Sequence, residues 1–272
     1  MTGTRSFLGL DLAWSARNPS GVAALRDDGR LVEACADLVD DAQIVAWVRR
    51  HLAPVTVIGI DMPTIVPNDT GMRPCERELA ADFRRYHAAP HPANRGRFGG
   101  EGRARAILDA LSADGVCERL DLAPNSPGRY AFEVFPHAAH VRFFGLSSIF
   151  KYKKKARPWP MVLAEWSRYR AALQSLSSAE PPLVLPASIP KSVSQRGYKA
   201  WDDLLDAITC AYVASYLWRW GTAAPNAHVY GDLRFGYIAV PGARVIAGAG
   251  TERYGSERPG DYFSGKRGTR RS

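Results

Sequence analysis

Val55-Thr56-Val57-Ile58-Gly59-Ile60-Asp61-Met62-Pro63 is an almost unbroken β-branched run that ends on a carboxylate. A strand with one wet face alternates apolar and polar residues, whereas a run without alternation marks a strand covered on both faces, as at the centre of an α/β sheet. Upstream, Ser6 to Ala13 is a second short apolar run, and it too carries an acid near its end, Asp11. A turn rich in Asn, Pro and Gly leads from it to Gly21–Leu25, and Asp27-Asp28-Gly29 turns the chain into a third strand over Leu31 to Leu38. Asp40 or Asp41 then caps a helix from Ala42 to Leu52, with Ile44, Val45, Val48 and Leu52 at helical spacing. The order is a three-strand meander, a helix, and the buried strand.

A lone ionised carboxylate in an apolar strand is costly unless it is paired, hydrated or bound to metal. One such residue has a simple explanation as a turn cap. Two of them, Asp11 and Asp61, on strands whose order makes them neighbours, point to a shared cation. Further acids stand in Trp201-Asp202-Asp203-Leu204-Leu205-Asp206-Ala207-Ile208, the head of an apolar helix running to about Trp220. Asp202 or Asp203 suits an N-cap, where the helix dipole favours a negative charge. Asp206 does not, and Asp203 and Asp206 at i, i+3 share a helix face roughly 5–6 Å apart. In Tyr130-Ala-Phe-Glu-Val-Phe-Pro136 the alternation of a strand places Glu133 opposite to Phe132 and Val134, as a further candidate.

Helices are predicted over Pro74 to Tyr86, Glu101 to Gly115, His137 to Phe144 and Met161 to Leu176. His87 to Gly100 reads as a basic loop without regular structure, and His228 to Pro241 as a terminal hairpin. With 46% hydrophobic residues in 272, the chain can bury one large core, predicted as residues 1–247, while 248–272 carries six Gly and six Lys/Arg and reads as a flexible basic tail. No run reaches the ~18 apolar residues of a membrane span, and the first ten residues do not form a leader, so a cytoplasmic protein is expected. Four scattered cysteines, with no C-x-x-C pair, exclude a zinc knuckle and a disulfide framework.

The net charge of +9 suggests an anionic partner. Two segments supply more than the whole excess: 142–170 holds eight Lys/Arg against one acid, and 84–105 holds six against one. Lys153, Lys154, Lys155, Arg95 and Arg97 are candidates for phosphate contacts, and Tyr152 and Trp159 for stacking on an unpaired base.

As an ordered set, Gly9-Leu-Asp-Leu-Ala-Trp-Ser15, Gly59-Ile-Asp-Met-Pro63, Arg73 to Ala80, Glu133 to Pro136, Tyr152 to Lys155 and Asp202 to Ala207 resemble the DUF429 family of predicted ribonuclease H-like nucleases. The resemblance covers about residues 6–242. It implies a ribonuclease H-like α/β fold, a mixed five-stranded sheet flanked by helices, with a helical insertion and a C-terminal hairpin. It also implies a metal-dependent nuclease. By analogy with Holliday-junction resolvases of that superfamily, Asp203 and Asp206 join Asp11 and Asp61 as metal ligands, and Glu133 falls on a family motif.

Oxygen donors favour Mg²⁺ or Mn²⁺. Two such ions ~3.5–4 Å apart would neutralise the acids, activate a water and stabilise the leaving oxygen of a phosphodiester in RNA or DNA. A non-catalytic nucleic-acid-binding module of the same fold is the alternative, though unneutralised acids would repel its ligand. A nucleotide phosphotransferase lacks its Gly-x-x-x-x-Gly-Lys-Ser/Thr loop here. The pairs His137/His140 and His87/His91 have no evident carboxylate partner for a zinc site.

Overall fold

The computed structural model describes residues 4–15, 17–100 and 102–242. The tail predicted over 248–272 lies outside them.

Strands β1 (Arg5–Asp11), β2 (Ser20–Arg26) and β3 (Leu31–Leu38) form the expected antiparallel meander. Helix α1 (Asp41–His51) follows, its N-cap Asp40 accepting from the Gln43 amide while the Gln43 side chain returns the bond, a reciprocal cap worth about 1 kcal/mol. Strand β4 (Val55–Asp61) then lies parallel to β1. The chain next leaves the sheet through α2 (Pro74–Phe83), the single turn α3 (Arg95–Phe98) and α4 (Arg103–Ser112), and returns as β5 (Val116–Glu118) and β6 (Arg129–Glu133). Both are parallel to β4, giving one six-stranded mixed sheet in the order β3-β2-β1-β4-β6-β5. The sequence reading has five strands; β5 is the sixth, three residues long and too short to show a period. The supposedly irregular 87–100 segment also contains α3, closed by an Asn94 cap and a left-handed Gly99.

Side chains alternate across this sheet, and the two faces are covered by different helices. Leu8, Leu10, Ile58 and Ile60 pack with Ile44, Trp47 and Val48 of α1 and Ile107 and Leu111 of α4. Phe7 and Val57 face the other way, into the larger core built on α7 (Tyr198–Trp220), α6 (Trp159–Ser175) and α5 (Pro136–Phe144). Helix α7 crosses β1, β2 and β4, and it is buried on nearly every side from Asp202 to Trp218, which explains why its sequence is apolar all round. The hairpin β7 (Ala227–Asp232) and β8 (Gly236–Pro241) closes the far side against α2 and α5 through Cys75, Leu79, Val141, Tyr230 and Ile238.

Two glycines set the height of α7. Gly9 and Gly59 are register partners on β1 and β4. A Cβ on Gly9 would overlap the Ala207 carbonyl and the Ala211 amide, and one on Gly59 the Cys210 carbonyl. The helix backbone therefore rests directly on the sheet. Two residues further along each strand, on the same face, come Asp11 and Asp61.

Candidate active site

Asp11 and Asp61 end adjacent parallel strands at the same register. Their carboxylates share a face because the strands run in step, and that face is covered by the first half of α7. Asp203 and Asp206 on α7 border the same cavity, a cleft of about 610 Å³ that also meets Trp14, His91, Glu133, His137, Lys153 and Lys155. The sequence-predicted acids are thus brought to one place, and they fall into three environments.

The strand pair is desolvated and without donors: no side chain or amide among the described residues hydrogen-bonds either carboxylate. Burial raises the Asp11 pKa well above the ordinary carboxylate range, with Lys153 opposing and Asp206, Asp61 and Asp203 adding to the rise. Asp61 is pushed to about 8, again by burial first, then by the charge of Asp206.

Asp206 is the opposite case. Although burial works against its charge, Lys153 and, at the acid pH where it is protonated, His137 hold its pKa below the usual value, helped by hydrogen bonds from Lys153 and Tyr152. Lys153 Nζ stands 2.5 Å from Asp206 Oδ2 and 3.1 Å from Asp202 Oδ1, and the Tyr152 hydroxyl donates to Asp206 Oδ1 at 2.5 Å. Tyr169 adds a longer bond, 3.2 Å, to the same oxygen. Asp203 is intermediate: Oδ1 is paired with Lys199 one turn back on α7, while Oδ2 is buried with no hydrogen-bond partner.

Glu133 borders the same cavity and its charge adds to the rise at Asp61, but its own carboxylate is bound elsewhere. Its carboxylate accepts from both terminal nitrogens of Arg73, at 2.8 and 2.5 Å, and from the Thr64 amide at 3.0 Å. Arg73 also donates from Nε to Glu76 and from Nη1 to the Ile65 carbonyl, so the pair ties the loop after β4 to the end of β6. The whole knot is buried, and cutting one partner would strand the other's charge.

The other sequence candidates divide. Lys154 is exposed, and Lys155 reaches the cavity. Lys153, placed by the sequence among free phosphate contacts, is instead held by the helix acids. Tyr152 is fully buried with its hydroxyl on Asp206, so it cannot stack on a base, and Trp159 packs edge-on against Tyr198 with ring centres 5.1 Å apart. Arg95 lies 3.7 Å from Asp69, and Arg97 reaches over the Trp14 ring at 5.8 Å. His140 is buried against Tyr169 and Thr209, with its ring centre 6.1 Å from that of His137. His137 borders the cavity with Nε2 buried and unpartnered, and burial lowers its pKa to about 4, so it is neutral.

As the side chains stand, no group of three or more His, Cys, Asp or Glu among the described residues is disposed to hold a metal ion. Lys153 and Lys199 pair with the helix acids instead. What fits a hard cation is the remainder, two oxygen-donor carboxylates at one register without donors, with Asp203 Oδ2 orphaned on the same cavity wall.

Lys199, four residues before Asp203 on the same helix, is a partner that i, i+4 spacing could have found. Sequence reasoning missed Lys153 as a partner because its distance from the acids is set by the 151–157 loop, which has no period to read. It also missed Arg73 as the partner of Glu133 and Trp14 on the cavity rim. The repeat of Gly-x-Asp in Gly9-Leu10-Asp11 and Gly59-Ile60-Asp61 is the signal that marks where α7 must lie.

No described helix is long and apolar enough to cross a membrane. No curated protein and no solved structure matches the chain. A family model described as a protein of unknown function (DUF429) matches residues 9–230.

Proposed function

The chain belongs to the DUF429 family, of unknown function, and from its cavity we propose that it hydrolyses phosphodiester bonds with a divalent cation held by Asp11 and Asp61. The observation that carries this reading is the pair itself: two carboxylates at one register, desolvated, without donors, facing a cavity. Like charges kept together in this way raise each other's pKa and destabilise the fold, a cost that a bound Mg²⁺ or Mn²⁺ would offset. The strand order β3-β2-β1-β4-β6, with β1, β4 and β6 parallel, supports a ribonuclease H-like reading in which β5 is an added edge strand.

A cation at this position would lower the pKa of a water for in-line attack at phosphorus and offset charge on the phosphoryl oxygens. Asp11 and Asp61 would hold it, and Asp203 would join by turning from Lys199. Lys153 plays a separate part: by neutralising Asp206 and Asp202 it keeps the helix acids from repelling an anionic substrate. His137, neutral and unpartnered at Nε2, can accept or give a proton at that atom. Arg73 and Glu133 hold the loop that walls the cavity.

The test sets wild type beside Asp11→Asn on labelled single-stranded, duplex and branched RNA and DNA, in Mn²⁺ and in chelator. Wild type is expected to cut at least one substrate only with Mn²⁺, and the variant to lose at least about a hundredfold, since even an outer-shell partner of a metal ligand is worth 10–100-fold. Its fold, followed by circular dichroism, should survive. Cleavage that persists in the variant or in chelator would remove Asp11 and the metal from the reaction. A binding module predicts unchanged or tighter nucleic-acid binding by the variant and no cleavage to lose.

A further inference from the structure

We infer that Trp14 is a stacking platform for an unpaired nucleobase at the mouth of the acidic cavity. The inference rests on the phosphodiester reading and specifies its substrate as one that presents a base out of the duplex.

Four observations carry it. Trp14 follows β1 by three residues and lines the same cavity as Asp11, Asp61, Asp203 and Asp206. Trp14 is 46% exposed, a large apolar side chain left partly in water. The ring is nonetheless held in place. Phe98 lies against it with centres 5.0 Å apart, His91 meets it edge-on at 6.5 Å, and the Arg97 guanidinium stands 5.8 Å from its centre. Phe98 and Arg97 belong to α3, whose Asn94 cap and left-handed Gly99 fix that short turn as a support.

The cavity walls supply the fourth. Leu12, Met62, Pro63, Phe135, Pro136 and Ile238 line it alongside the acids. A site for phosphate alone gains nothing from these side chains, whereas a base or a sugar does. At about 610 Å³ the space is in the range that encloses one small organic group. A base inside a duplex has both faces covered by its neighbours, while an unpaired one has a free π-face for an aromatic side chain and pays little to leave the stack. Lys155 and Arg97 stand near the same rim, where the flanking phosphates would lie.

The experiment measures binding, not cleavage. Fluorescein-labelled single-stranded octathymidylate, octaadenylate and an all-abasic octamer of equal charge are titrated with full-length wild type, Trp14→Ala and Trp14→Phe. Ca²⁺ replaces Mg²⁺ or Mn²⁺, and a gel confirms that the probes stay intact. Wild type should prefer both base-bearing octamers to the abasic one. Trp14→Ala should bind them roughly ten- to hundredfold more weakly, the value of one base–aromatic stack, with the abasic octamer unaffected. Trp14→Phe should keep most of the affinity, and circular dichroism should show all three proteins folded at the temperature of the titration. Equal losses on base-bearing and abasic probes, no loss on either, or a wild type without preference for bases would each overturn the platform. A wild type that prefers bases but cuts nothing in Mn²⁺ would sink the hydrolase and leave the platform standing; one that cuts but binds all probes alike would sink the platform alone.

Discussion

Asp61, partly exposed, and Asp206, buried, stand on the wall of one cavity, yet their proton affinities are driven in opposite directions. Asp206 has Lys153 at 2.5 Å and stays ionised; Asp61 has no donor and is raised from 3.8 to about 8 by burial and by the charge of Asp206 itself. The consequence for stability has a definite sign. Without metal, folded Asp61 keeps a proton that the unfolded chain releases above about pH 4, so its contribution is fully present below that pH and is lost as pH rises through about 8. In chelator, Asp61→Asn should therefore flatten the fall in melting temperature between pH 4 and 8 and melt above wild type at pH 8. Thermal melts of both proteins across that range check it, and parallel curves would mean that Asp61 is not confined among like charges. At this scale the sequence was readable for the acids and blind to Lys153 as a partner. Asp11, Asp61, Asp203 and Asp206 stand out because a carboxylate is foreign to an apolar run. That Lys153 and not a solvent ion meets Asp206 depends on how a loop folds back across 50 residues, which no local pattern encodes.

Among the elements, α7 decides the geometry of the site, and its seat on β1 and β4 is made by the absence of two side chains, with Gly21 of β2 giving way in the same manner under Asp203. Because Gly9 and Gly59 are paired across β1 and β4, the α7 backbone settles against both strands and brings Asp203 and Asp206 over the strand acids. Gly9→Ala has nowhere to put its methyl except into the Ala207 carbonyl, which is rigid helix backbone. The expected result is a loss of about 1–3 kcal/mol or more, the usual range for overpacking, together with displacement of α7 from the acids. Urea unfolding gives the first and cavity-ligand or metal affinity the second; a variant as stable as wild type would show that the helix does not rest on that strand. The long elements were legible for physical reasons: β4 from its unbroken β-branched run, α1 from period and cap, α7 from its apolar length. Strand β5 was not, because Val116–Glu118 is too short to alternate and is held in the sheet by β6 and not by its own composition.

For the whole molecule, the uneven charge of the sequence is resolved in space. The segments 84–105 and 142–170 are far apart in the chain, yet His87, His91, Lys153 and Lys155 from them border one cavity with Arg73 and Lys199. Arg73, Lys153 and Lys199 are paired with acids there, and Lys155 also reaches the cavity, so under the proposed function the net charge of +9 would draw a polyanion at low salt. The direct test of the central claim is a crystal of the protein soaked with Mn²⁺ and measured for anomalous scattering. The account predicts a peak within about 2.0–2.6 Å of a carboxylate oxygen of both Asp11 and Asp61. A peak elsewhere, or strand carboxylates that remain free of Mn²⁺ at saturating concentration, would contradict it.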